Sequence, residues 1–157
     1  ASLPGESILL RSHWVLVIMD VFSRRIIGFG AEREYIDGVC VCRMFNGAIA
    51  GQALPKRIST DHDPLFRFHR WLANLRVLEI EEIKSVAYAP VSHPFVERLI
   101  GTIRREYLDR TFFWNAVDLA RKLDEFRHYY NAYRVHRGLD GFTPAHCRGL
   151  FQTPVPA

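Results

Sequence analysis

Lysine is nearly absent from this 157-residue chain, with three lysines against eighteen arginines, 17 acidic residues and a net charge of +4. Cysteine is scarce as well: Cys40, Cys42 and Cys147 are an odd set at no zinc-finger or redox spacing, which excludes a disulfide scaffold and reads as reduced thiols. His62, His69 and His93 have no cysteine partners at ligand spacing, so no zinc site is expected. Long hydrophobic runs are missing. The longest, Trp14 to Met19, is six residues, where about 20 are needed to cross a bilayer. No basic-then-apolar leader opens the sequence, so the expected location is the cytosol. No internal repeat or low-complexity stretch is present either. What remains is a 48% hydrophobic, 24% charged composition, the balance of one globular domain. That domain is expected over residues 1–150, with a flexible tail over 151–157.

The arginine bias favours the side chain that grips phosphate with a planar, two-pronged fork. Between Arg98 and Arg148 ten basic residues face six acidic ones, interleaved with Tyr107, Trp114, Tyr129, Tyr130 and Tyr133. This is the pattern of a nucleic-acid surface. A GC-rich genome enriches arginine too, so charge suggests the partner without deciding it.

Hydrophobic patterning outlines an alternation of strands and helices. A Val- and Ile-rich run from His13 to Asp20 and a second run from Ile26 to Ala31 predict two strands joined by a tight turn. Residues 36–52 carry apolar side chains at helical spacing and end at Gly51. Arg57 to Thr60 reads as a short strand that delivers Asp61 to a strand end, followed by a helix over Leu65 to Leu75 and a strand within Val77 to Val86. Pro94 opens a long helix running to about Asp109, and a second spans Asn115 to Arg134. The expected class is α/β, a sheet covered by helices.

On the helix after Pro94, Glu97, Gly101, Arg104 and Leu108 share one face at 100° per residue, while Val96, Leu99 and Ile103 fall on another. Glu97 therefore stands among Arg98, Arg104 and Arg105 on an exposed side, beside backbone left bare at Gly101. A solvated helix face would look the same. Asp61 and Glu97 lie 36 positions apart, but about 1.4 such pairs arise by chance at this acid content, so spacing alone is weak.

Four segments supply the context. They are Val17-Ile18-Met19-Asp20-Val21-Phe22-Ser23-Arg24-Arg25-Ile26-Ile27-Gly28; Ser59-Thr60-Asp61-His62-Asp63; Ser92-His93-Pro94-Phe95-Val96-Glu97-Arg98 continuing through Arg104-Arg105-Glu106-Tyr107-Leu108; and Tyr130 to Arg137 with Thr143-Pro144-Ala145. In this order they resemble the catalytic domain of the integrase and insertion-sequence transposase superfamily, with its triad of two aspartates and a glutamate, in the branch with retroviral-integrase-like transposases. The resemblance covers almost the whole chain. It implies a ribonuclease-H-like mixed sheet flanked by helices, and metal-dependent DNA strand cleavage and strand transfer. It also implies Asp61 and Glu97 as catalytic metal ligands for two Mg²⁺ or Mn²⁺ ions, and Arg98, Arg104 and Arg105 as DNA-binding residues. The implied partners are element-end and target DNA, with a homo-oligomer as the active complex.

One feature of that pattern is missing. The family's first aspartate follows an aromatic-x-x-Asp context on the strand before Trp14; here the expected position lies at or before Ser2, and the chain opens Ala1-Ser2-Leu3-Pro4-Gly5-Glu6. The first strand is thus expected to be shortened and the domain truncated at its start, with no first triad aspartate. Asp20 reads as a turn residue and Glu6 has no stronger claim to the role. A non-catalytic, DNA-binding transposase remnant is the alternative to an enzyme.

Overall fold

The computed structural model describes residues 2–10, 13–33, 35–60, 63–84 and 94–147, with residues 2–10 and 84 described by their backbone. Five strands form one mixed sheet: β1 (Ser2–Leu10), β2 (His13–Met19), β3 (Ile26–Arg33), β4 (Arg57–Thr60) and β5 (Glu81–Lys84), in the order β3-β2-β1-β4-β5. β1, β2 and β3 form an antiparallel meander, whereas β4 and β5 run parallel to β1 and to each other. The strand expected to be shortened, β1, runs nine residues through the middle of the sheet.

β2 is buried on both sides, which is why it reads as a continuous apolar run rather than an alternation. Leu16 and Ile18 join one core with helices α1 (Gly38–Ile49) and α2 (His69–Val77). Val15, Val17 and Met19 join another with α3 (Pro94–Glu106) and α4 (Ala116–Ala132). The helices thus cover both faces of the sheet.

Local chemistry sets the boundaries. The Asp37 side chain accepts from the Cys40 amide at 2.8 Å and caps α1, and Asn115 accepts from the Asp118 amide at 2.9 Å and caps α4. In the β2–β3 turn, Asp20 accepts from the Phe22 amide at 3.2 Å and from the Ser23 hydroxyl at 2.6 Å, the local role expected of it. Gly28 and Gly30 let α1 sit against β3: a Cβ at Gly28 would overlap the Ala48 carbonyl, and one at Gly30 would lie 2.6 Å from the Met44 Cβ.

Two boundaries differ from the sequence expectation. The single helix expected over Leu65 to Leu75 is a 3₁₀ turn (Pro64–Arg67) followed by α2, broken by an extended Phe68 (φ −62, ψ 137). Phe68 packs so close to Gly38 that a Cβ there would lie 2.9 Å from its own, and this contact with α1 outweighs local helical preference. Similarly, α3 stops at Glu106 and a 3₁₀ turn (Leu108–Arg110) follows, which turns Leu108 into the core instead of the exposed face.

Candidate functional site

Glu97 occupies the first turn of α3, exposed, while Val96, Leu99 and Ile103 anchor the helix in the core. Among the described residues Glu97 forms no ion pair, so its carboxylate is not committed to a structural partner. Arg98, Arg104 and Arg105 are exposed on the same helix. The bare backbone expected at Gly101 is covered by a side chain: a Cβ there would meet the Arg105 guanidinium at 3.2 Å.

Asp61 and His62 lie outside the described residues. The backbone leading to them is described. β4 ends at Thr60, and Thr60 pairs with Gly5 in the parallel β1–β4 ladder. The next residue along β1 is Glu6, which pairs with Val17 across the antiparallel β1–β2 ladder. Val17 belongs to the core beneath α3 and α4. α3 contacts β1. β1 is therefore the strand on which the end of β4 and the helix carrying Glu97 converge. Glu6 was passed over in the sequence because its place depends on strand register; the signal available was the short interval between Leu10 and His13, which pair.

Among the described residues no group of three His, Cys, Asp or Glu side chains could hold a metal ion. Carboxylate oxygens such as those of Glu97 are hard donors that suit Mg²⁺ or Mn²⁺ better than zinc.

Beside Glu97, a second ridge of α3 opens into a basic cavity of about 360 Å³, lined by Arg98 and Arg105 together with Arg24, Arg134, His136 and Arg137. Arg24 sits at φ 60 in the β2–β3 turn, and its guanidinium stacks 3.1 Å from the centroid of Phe95. Arg134 makes a two-point pair with Glu106, at 2.8 and 3.2 Å, that ties the end of α4 to the end of α3. Burial, then the charges of Arg134 and Arg24, hold His136 below the usual imidazole range, and burial pushes the Tyr130 phenol up to about 12. Asn131, inside the last quoted segment, has a structural role: its side chain accepts from the Ile26 amide and donates to the Ile26 carbonyl, both at 2.9 Å, locking α4 onto the edge strand β3.

This fold is that of retroviral integrase catalytic cores. BIV integrase catalytic core superposes with a TM-score of 0.71 at 17% identity, covering 96% of this chain and 98% of that one. The HTLV-2 integrase catalytic core in complex with magnesium gives 0.69 at 18% identity, over 92% and 93%. A chain of the simian T-cell lymphotropic virus intasome gives 0.78 at 18% identity, over 99% of this chain and 56% of that one. Residues 79–144 match the family model described as Integrase core domain. Among curated proteins, the insertion element IS476 uncharacterized 39.2 kDa protein of Xanthomonas euvesicatoria is 25% identical over 88% of this chain and 40% of its own length. The transposase for insertion sequence element IS904 of Lactococcus lactis is 26% identical over 83% of this chain and 53% of its own length. The chain is therefore similar in sequence to insertion-sequence transposases and, over residues 79–144, to an integrase core domain, and similar in fold to retroviral integrase catalytic cores. It spans about half the length of the curated relatives it matches. No helix among the described residues is long and apolar enough to cross a membrane.

Proposed function

We propose that the chain acts in DNA transposition as a divalent-metal-dependent strand-cleaving and strand-joining core. Asp61 and Glu97 are its metal-holding carboxylates, and Glu6 stands in for the first aspartate. The observation that carries this reading is the convergence on β1: Thr60, the residue before Asp61, pairs with Gly5, and α3, with Glu97 exposed in its first turn, contacts the same strand. Two Mg²⁺ or Mn²⁺ ions, when bound, supply Lewis-acid stabilisation to the attacking and leaving oxygens of an in-line phosphodiester displacement. Arg98, Arg104 and Arg105 hold the sugar-phosphate backbone, giving salt-dependent affinity and fixing the strand's register at the carboxylates. The partners are element-end and target DNA, with further copies of the chain in the active complex.

The test is nicking of supercoiled plasmid in Mn²⁺, with DNA binding measured on the same preparations. Wild type should nick, and Glu97→Gln, Asp61→Asn and Glu6→Gln should each abolish nicking while leaving the fold intact. Activity retained in Glu6→Gln alone removes Glu6 from the site and keeps the other two. Binding without nicking by the folded wild-type chain favours the non-catalytic remnant, and absence of both overturns the proposal.

A further inference from the structure

The basic cavity beside Glu97 holds more positive charge than the fold uses. Of its five arginines, Arg134 alone makes a direct ion pair with a carboxylate among the described residues, while Asp20 and Glu106 act on Arg24 and Arg105 from farther away. Arg24 Nη1 and His136 Nε2 are buried and have no hydrogen-bond partner among the described residues. Arg24 and His136 both line the cavity, and a guanidinium and an imidazole brought together beside Arg98, Arg105, Arg134 and Arg137 call for an anionic ligand. That ligand must accept hydrogen bonds from several directions and carry negative charge. On this side of the cavity Phe95 stacks beneath the Arg24 guanidinium, and Tyr130, its phenol pushed up to about 12, adds a hydroxyl donor.

We propose that this cavity binds a phosphate group, presented by a DNA strand whose neighbouring phosphates run along α3 past Glu97. The inference rests on the function proposed above and adds a second phosphate position to it. Along α3 the residue spacing separates the two: Glu97 and Arg104 are seven apart on one ridge, and Arg98 and Arg105 are seven apart on the next, about 100° around the helix. The first ridge serves the reacting phosphate. The second grips a flanking one, with Arg24 from the β2–β3 turn and His136 and Arg137 from the segment after α4 closing around it. Planar guanidinium forks suit the tetrahedral oxygens of phosphate, and a cavity of about 360 Å³ leaves room for the attached sugar.

Two measurements on wild type, Arg24→Gln and Arg137→Gln test this, after each variant is shown to be folded by circular dichroism. In the first, inorganic phosphate is titrated while the His136 ring signals are followed by NMR. In the second, affinity for a duplex is measured by fluorescence anisotropy over a range of NaCl. Wild type should show saturable His136 shifts that both variants abolish. Each variant should also lower the slope of log affinity against log salt by about 0.9, the loss of one phosphate contact. Arg137→Gln, at an exposed position, keeps the test alive if Arg24→Gln fails to fold. Duplex binding with unchanged slopes and no His136 response overturns the cavity while leaving DNA binding in place. A phosphate response lost in both variants, with no duplex binding by wild type, makes free phosphate the ligand and overturns the DNA source instead.

Discussion

The two faces of the sheet are built from similar numbers of apolar residues and do opposite things with charge. On the α1–α2 face, glycines at 28 and 30 bring α1 down onto β3, and Trp71 is fully buried against Phe45 and Phe66 with its indole N–H donated to Glu82 at 3.1 Å. On the α3–α4 face, Val96, Leu99, Leu119, Leu123 and Phe126 fill the centre, but the rim opens into the arginine-lined cavity with its two unsatisfied atoms. The α1–α2 side has a groove on its outer surface between the two helices, with Arg70 as its one charged lining residue among those described, whereas five arginines line the cavity on the α3–α4 side.

The contrast can be broken most forcefully at Trp71. Trp71→Ala removes the largest fully buried side chain and should lower the unfolding free energy by about 3–5 kcal/mol in urea titration, while the folded fraction binds DNA with unchanged affinity. Loss of affinity in the folded fraction means that the faces are coupled. Next comes Asn131→Ala, on the open face but structural. It strands the Ile26 amide and carbonyl and should lose about 2–3 kcal/mol. It should also weaken duplex binding, since Tyr130, Arg134 and His136 flank it in the chain and line the cavity. Gly28→Ala returns to the closed face. The added methyl overlaps the Ala48 carbonyl, so α1 must move and about 1–2 kcal/mol should be lost, again with no change in DNA affinity.

Much of this was legible in the sequence because it is local. The β2–β3 hairpin follows from a Val/Ile run ending at Asp20, whose side chain closes the turn, and α1 and α4 begin where Asp37 and Asn115 can cap them. The break at Phe68 was not legible, since it depends on a contact with Gly38 across the fold. The same holds for the site. The arginines of α3 stand out at helical spacing, but Arg24 and His136 meet only because the β2–β3 turn reaches the segment after α4. Glu6 became a candidate only once the register of β1 against β2 and β4 was known. Asp61, which sequence alone assigned to a strand end, falls outside the described residues.

The smallest effect separates the faces by pH. His136 on the open side and His13, buried at the start of β2, both have imidazoles held below the ordinary 6.5: His136 by burial and then Arg134 and Arg24, His13 by burial and then Arg33. A lowered folded value means that the unfolded chain binds protons more readily than the native one. Their contribution is therefore complete above pH 6.5 and drains away as pH falls through 6.5 toward the depressed native values. Among the described residues the carboxylates with altered titration, Glu32, Glu106 and Asp118, are all lowered from reference values of 4.5 or 3.8, so their losses begin at more acidic pH and do not overlap the upper part of this window. Unfolding free energy measured between pH 7.5 and about 5.5 in a phosphate-free buffer should thus decline, and His136→Gln should flatten part of that decline. Adding phosphate to the wild type should flatten it too, because an anion in the cavity favours protonated His136 and brings its native value back toward that of the unfolded chain. A decline that neither the substitution nor phosphate alters would assign the pH response to His13 and leave the cavity histidine neutral throughout.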